Sequence, residues 1–390
     1  MSTAELQTIF SELRDTLDHE HTITPLHEPY FGGNEWHYVK DCLDTGWVSS
    51  AGKYVDRFEK TLADYTGAKH AIAVVNGTAA LHISLLLSDV ATNDEVLCPS
   101  LTFVATANAI HYCGAIPHFV DVSPTSLGID VDKLDDYLSD IGEFHAQQFI
   151  NKHTQRPIRA IVAMHTFGHP VDMEPLMALC DKYHLALVED AAESLGSLYK
   201  GRHTGTFARL GAISFNGNKI VTTGGGGAIL TNHGSLATHI RHITTTAKLP
   251  HAWEYAHDEI GFNYRMPNLN AALGLAQLEQ LDNFVAAKRQ LASKYQQAFA
   301  DNALLDVFVE PEYARSNYWL NVLMLKAPSL EQRNILLEAM HKAGMLTRPA
   351  WQLMHQLPIY AGMPHMDLTE SQRLEQQIIC LPSSVGLIKT

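Results

Sequence analysis

Charge is scarce in this chain and mostly of one sign. Only 18% of its 390 residues are Asp, Glu, Lys or Arg, and 28 basic against 42 acidic side chains leave a formal net charge of −14. Such a chain lacks the basic face that neutralises phosphates along a nucleic acid, so a dedicated nucleic-acid binder is disfavoured, while a local pocket for a small anion is not. Long apolar runs are missing too. None approaches the ~20 residues that a membrane-spanning helix needs, and the start, Met-Ser-Thr-Ala-Glu-Leu-Gln, has no basic stretch followed by an apolar one, so no secretory signal is read. The five cysteines, Cys42, Cys98, Cys113, Cys180 and Cys380, are scattered and mostly in apolar surroundings. They read as buried, reduced thiols of a cytoplasmic protein. The 22 histidines are spread along the chain, with neither a His-Glu-x-x-His helix nor a Cys-x-x-Cys pair, and no dedicated metal site is expected.

What is present is an α/β pattern. Residues 1–24 suggest an amphipathic helix, with Leu6, Ile9, Phe10, Leu13 and Leu17 at helical spacing. Residues 25–50 are rich in Pro and Gly and read as loops. From residue 52 short apolar runs alternate with helical stretches. Strands are expected at 70–75, 95–98, 116–120, 158–164 and 185–189, with another at 212–215. Helices are expected at 55–65, 79–88, 102–112, 131–138 and 173–183. Short apolar strands alternating with helices indicate a mostly parallel central sheet covered by helices on both faces. Near Pro267 the texture changes: a long helix over 268–299, a strand over 318–325 and a helix over 330–342 suggest a smaller α+β domain. The expected division is an N-terminal helical extension (1–35), a large α/β domain (36–265) and a small C-terminal domain (266–390).

The most informative stretch is 211–227, Gly-Ala-Ile-Ser-Phe-Asn-Gly-Asn-Lys-Ile-Val-Thr-Thr-Gly-Gly-Gly-Gly. Lys219 stands between an apolar strand and four glycines, with Ser214 five residues before it. Glycines let backbone approach a ligand closely, and a lysine placed there suits a phosphorylated aldehyde cofactor that forms a Schiff base with the amine. In an α/β sheet ligands bind at the carboxyl ends of strands, and other candidates fall at such ends. Asn76-Gly77-Thr78 opens a helix after a strand, either as an ordinary cap or as an anion site. Asp190 ends the run Leu-Ala-Leu-Val-Glu-Asp, where it can cap a following Ala-Ala-Glu-Ser helix or pair with a protonated ring nitrogen. Phe103 is either a core aromatic or a ring-stacking group. Asp, then Ser-x-x-x-x-Lys, then a glycine run is far more specific than any of its parts.

Six segments in order, Trp47–Lys53, Asn76–His82, Pro99–Thr106, Glu189–Ser194, Ser214–Lys219 and Gly261–Met266, resemble the DegT/DnrJ/StrS group of sugar-nucleotide aminotransferases, fold-type I enzymes that use pyridoxal 5'-phosphate. That resemblance implies a role for each matching residue. Lys219 would form the imine with the cofactor and shuttle the proton. Asp190 would pair with the pyridinium nitrogen, and Glu193 would lie beside the ring hydroxyl. Gly77, Thr78 and Ser214 would hold the phosphate, and Phe103 would cover the ring. Asn263 would reach the phosphate in a neighbouring subunit, which makes the active unit a homodimer with shared sites.

The implied reaction moves an amino group from L-glutamate to the C4 ketone of a nucleotide-linked 4-keto-6-deoxyhexose. Segments Leu43–Ser50 and Glu193–Ser197 most resemble the legionaminic-acid branch, whose substrate is a UDP- or GDP-linked 2-acetamido-4-keto-2,4,6-trideoxyhexose. GDP-perosamine synthases are neighbours, and a non-catalytic regulatory member is the reading from another class. Arg265, Arg348, Trp351 and His355 are the candidate substrate contacts.

Overall fold

The computed structural model describes residues 3–17 and 23–388. Seven apolar runs form the central sheet: β1 (His70–Val74), β2 (Glu95–Pro99), β3 (Ile116–Val120), β4 (Ile158–Met164), β5 (Ala186–Asp190), β6 (Leu210–Ser214) and β7 (Gly227–Thr231), in the order β1-β7-β6-β5-β4-β2-β3. β7 runs antiparallel to β1 and β6, and the other pairings are parallel. Six carboxyl ends therefore meet at one edge. Side chains alternate between two cores. Ile72 and Val74 face one that includes Ile83, Ile110 and Leu176; Ala71 and Ala73 face another with Phe58, Leu62, Ala271 and Leu275. A sheet covered on both faces hides every strand from water, which is why these runs are continuously apolar. The five cysteines are free and buried.

A second sheet is antiparallel, with β8 (Leu305–Val307), β9 (Asn321–Leu325), β10 (Arg348–Pro349) and β11 (Ile378–Leu381) in the order β8-β9-β11-β10. Its core joins Leu323, Ile379 and Leu381 to Leu291 and Tyr295 of helix Leu281–Ala298 and to Phe299 just after it. Helix Thr3–Thr16 packs there too, through Ile9 and Leu13. The amphipathic reading of 1–24 holds over 3–16; residues 1, 2 and 18–22 lie outside the described residues. Among the described residues no helix is long and apolar enough to cross a membrane.

Four expectations need correction. Within the supposed loop 25–50, Glu35–Thr45 is a helix, ended by Gly46 at φ 72° and anchored by Glu35, which accepts hydrogen bonds from the Gly33 N–H and the side chains of Gln277 and Gln280. Flanking glycines had masked it. The long helix over 268–299 is two, Asn268–Leu278 and Leu281–Ala298; at the break the Gln280 N–H turns to the Gln277 carbonyl and its side chain reaches Glu35. The strand over 318–325 begins only at Asn321, because Tyr318 is left-handed at φ 47°. No helix follows Asp190: residues 191–196 turn, and Asp190 Oδ1 accepts the Ala192 N–H at 3.2 Å.

The four-glycine run divides by position. Gly224 turns the chain at φ 78°. Gly227 opens β7 between Val74 and Ser214, where an added Cβ would lie 2.4 Å from the carbonyl carbon of Asn76 and 2.7 Å from the nitrogen of Gly77. Around Gly225 nothing lies within 4 Å of an added Cβ. Gly227→Ala is therefore expected to lower stability by about 2 kcal/mol, since backbone cannot step aside as a side chain can, while Gly225→Ala stays within about 0.5 kcal/mol of wild type. Urea denaturation of the two variants checks this; equal effects would contradict it.

Candidate active site

The strand ends open into a cavity of about 360 Å³ lined by Gly77, Thr78, Phe103, Asp190, Glu193, Ser214 and Lys219. They arrive from four different strand ends, so the site exists only once the sheet has formed. Helix Gly77–Leu86 begins at one wall. Its cap, Asn76, is extended, and its Oδ1 accepts the Ala79 N–H at 2.7 Å. The N–H groups of Gly77 and Thr78, the first two of the helix, have no intrahelical acceptor and carry the positive end of the helix dipole. Ser214 ends β6 beside them: a Cβ on Gly77 would come within 2.9 Å of the Ser214 Cβ. Two hydroxyls and two free N–H groups at one helix start form a cradle for a small anion such as phosphate.

Asp190 is 3% exposed. Its Oδ2 accepts the Thr106 hydroxyl at 2.8 Å, and Thr106 in turn lies 2.9 Å from the Thr102 hydroxyl. Burial holds the carboxyl above its ordinary range; hydrogen bonds from Thr106 and Ala192 and the charge of Lys219 pull the other way. A buried acid with one hydroxyl donor and no adjacent cation suits a cationic ring nitrogen.

Lys219 sits in the turn after β6, its N–H donating to the Asn216 carbonyl at 3.0 Å. Its Nζ is 3.2 Å from Glu193 Oε1 and 3.8 Å from the centre of the Trp319 ring. Glu193 Oε2 accepts the Phe167 N–H at 2.8 Å, with Phe167 left-handed at φ 55°. Burial raises the Glu193 carboxyl, opposed chiefly by Lys219.

Of the remaining sequence candidates, Phe103 is a cavity wall rather than a core residue, 48% exposed and 6.3 Å from the Trp351 ring. Trp351 also lines the cavity, stacked on Phe167 at 4.9 Å. Arg265, Arg348 and His355 do not line it. The Arg348 guanidinium turns to His341 and the Thr347 carbonyl. His355 bonds to the Ser100 hydroxyl at 2.8 Å. Arg265 pairs through its backbone with Val74, beside Glu59. Asn263 is exposed, bridged to Thr245 and away from this chain's own cavity. His242, in the last turn of helix Gly234–Thr244, gathers its ligand atom within 4.8 Å of those of Asp258 and Glu259, and bonds to Asp258 at 2.6 Å.

Sequence reasoning missed Trp319 and Thr106 as site residues. Trp319 lies in an apolar run that read as strand, and its ring contact with a lysine a hundred residues earlier left no local pattern. Thr106 falls on one face of a helix, four residues after Thr102, and that spacing was the available signal.

The cradle, the buried acid, the amine and the aromatic wall together fit a phosphorylated pyridine aldehyde. Comparison with known proteins agrees. The DegT/DnrJ/EryC1/StrS aminotransferase family matches residues 29–389. GDP-perosamine synthase of Caulobacter vibrioides is 37% identical over 362 residues, 92% of each chain. The GDP-perosamine synthase of Escherichia coli O157:H7 is also 37% identical, over 86% of this chain and 87% of its own. A solved DegT/DnrJ/EryC1/StrS aminotransferase from Brucella abortus superposes with a TM-score of 0.83 at 27% identity, covering 91% of both chains. This chain belongs to the DegT/DnrJ/EryC1/StrS aminotransferase family of pyridoxal-phosphate-dependent sugar aminotransferases.

Proposed function

We propose that this enzyme moves an amino group from L-glutamate to the C4 ketone of a GDP-linked 4-keto-6-deoxyhexose. The observation that carries the reading is the convergence of Lys219, Asp190 and the Gly77–Thr78–Ser214 cradle on one cavity. Their separation in sequence makes the convergence a product of the fold. The two perosamine-synthase relatives favour the GDP-linked substrate over the 2-acetamido-trideoxyhexose of the legionaminic-acid branch.

Each residue has a part that its surroundings support. The Gly77 and Thr78 N–H groups and the Thr78 and Ser214 hydroxyls hold the phosphate. Asp190 keeps the ring nitrogen protonated. Pyridoxal phosphate, when bound, supplies the electron sink that makes the amino-bearing carbon acidic. Lys219, whose amine lines the cavity, would hold the cofactor's aldehyde carbon and would move the proton of the amino-bearing carbon, as base and then as acid. Glu193, whose Oε1 is 3.2 Å from the Lys219 amine, would lie beside the ring hydroxyl and would hold that amine when it is free. Phe103 covers the open face.

A homodimer is part of the proposal. Asn263 does not line its own cavity, and in the ten residues before it Trp253, Tyr255 and Ile260 are 79%, 82% and 86% exposed, apolar surface that a partner would cover. Purified enzyme should sediment as a dimer and aminate a GDP-4-keto-6-deoxyhexose at glutamate's expense, at least about tenfold faster than its UDP counterpart. Turnover of the UDP-linked 2-acetamido sugar alone would reverse the substrate assignment, and a monomer active at the dilution assayed would remove the shared site.

The raised Asp190 carboxyl gives a second test. A folded-state value above the unfolded one means that stability is full below the unfolded carboxyl range, near pH 4, and declines as pH rises through the raised value. Asparagine cannot ionise and escapes the decline. Cofactor-free Asp190→Asn should match wild type near pH 4 and exceed it by about 1–2 kcal/mol at pH 8, while its amination rate falls about a hundredfold or more. Urea titrations at the two pH values measure the first part; a wild-type protein that stays the more stable at pH 8 would contradict the account.

A further inference from the structure

Among the described residues, Trp319 is the large aromatic placed against the amine of Lys219, and its position is over-determined. Its ring is 3.8 Å from Nζ, and the residue is 4% exposed. Three hydrogen bonds fix it. The backbone N–H donates to Asn317 Oδ1 at 2.8 Å. The carbonyl accepts from Lys288 Nζ at 2.9 Å, the same amine that donates to the Ser383 carbonyl. The indole N–H donates to the carbonyl of Asn218, the residue before Lys219, at 2.7 Å. Lys288 is wholly buried, and burial drives its amine well below the ordinary lysine range. A lysine placed so expensively is a fixture for the two carbonyls it holds.

Asn317 ties this clamp to the other partner of Lys219. It is fully buried. Its Nδ2 donates to the carbonyls of Glu193 at 3.0 Å and Leu195 at 2.8 Å, and its N–H donates to the Ser197 hydroxyl at 2.8 Å. One side chain therefore sets both the Glu193 segment and the Trp319 backbone. Room for it comes from Gly168, at φ 98°, where an added Cβ would fall 1.9 Å from Asn317 Oδ1. Tyr318, between Asn317 and Trp319, takes φ 47°, a strained conformation for a bulky residue that a clamp on both sides maintains.

We propose that Trp319 is a positioning residue for Lys219, its indole face holding the free side chain with Nζ aimed into the cavity whenever the amine is not bonded to the cofactor. This rests on the role given to Lys219 above and goes beyond it. A lysine carries four rotatable bonds and about 2 kcal/mol of rotamer entropy, and a side chain free to wander meets the cofactor's aldehyde less often. The ring's negative face attracts an ammonium and its breadth confines the methylene stem. The titratable groups around Nζ are Glu193 at 3.2 Å, Asp190 in the same cavity, and His27 of the N-terminal segment, whose ring burial holds below its ordinary range, with Lys288 and Lys219 adding to the effect. Trp319 adds no charge to this set, and the breadth of its ring confines the stem in either protonation state of the amine.

The test follows cofactor capture by cofactor-free enzyme, in which the Lys219 amine adds to the aldehyde carbon of pyridoxal phosphate and one water leaves. The rise of the visible absorbance band is recorded for wild type, Trp319→Phe, Trp319→Leu and, as the zero, Lys219→Ala. Trp319→Leu should capture about tenfold more slowly, and Trp319→Phe, which keeps an aromatic face but loses the indole N–H, within about threefold of wild type. Circular dichroism and melting temperature confirm that each variant is folded. Capture by Trp319→Leu at the wild-type rate overturns the proposal. So does Trp319→Phe as slow as Trp319→Leu, because the hydrogen bond to Asn218 and not the ring face would then be the cause. A Lys219→Ala variant that still captures would instead defeat the role of Lys219, a separate failure with its own signature.

Discussion

The pairing of the Lys219 amine with the Glu193 carboxylate, at the edge where six strands end, is the contact around which the site is arranged. Both groups are nearly withdrawn from water, and a buried charge without a partner costs several kcal/mol. The fold meets this by bringing them together at 3.2 Å and fixing each from behind. Phe167 donates its N–H to Glu193, and Trp319 lies against Lys219. Asp190 is the counterpart left open: a buried acid with a hydroxyl donor and no adjacent cation, raised by its burial. In a protein built only for stability that group would be neutral or absent. Under the proposed function it would receive the cation that the cofactor brings.

Backbone constraints explain why the cavity has its shape. Gly77 lets the start of a helix lie against Ser214, and Gly227 lets the Asn76–Gly77 peptide cross the beginning of β7. Gly168 admits Asn317, which holds the Glu193 segment and Trp319 together. These close approaches come from three distant parts of the chain, and each fails with a single methyl group. The region of the second sheet contributes by the same means. Trp319 precedes β9, and its carbonyl is held by Lys288 of helix Leu281–Ala298, so the packing around the second sheet reaches Lys219 through one ring.

Much of this was legible in the sequence. Six of the seven strands of the central sheet stand out because burial on both faces makes them continuously apolar. Lys219, Asp190 and the Asn76–Gly77–Thr78 turn stand out because a strand end followed by a glycine, an acid or a lysine is a local pattern. β7 was hidden, since its first residue belongs to the glycine run and the four that follow, Ala-Ile-Leu-Thr, are short. Trp319 and Asn317 were hidden for a different reason: their partners are about a hundred residues away, and nothing near them in the chain records the contact. Arg348 and His355 looked like substrate ligands by type, but the fold satisfies each with a neighbour, His341 and Ser100. Residue type announces what a side chain can do, while the partner it meets in the fold decides what it does.

The central claim is that Lys219 is the residue that bonds to the cofactor. Borohydride reduction of enzyme loaded with pyridoxal phosphate, followed by mass spectrometry of its peptides, tests that claim most directly. The account predicts a single phosphopyridoxyl group, on Lys219. A label on any other lysine with Lys219 unmodified, or stoichiometric cofactor binding with no covalent label at all, would contradict it.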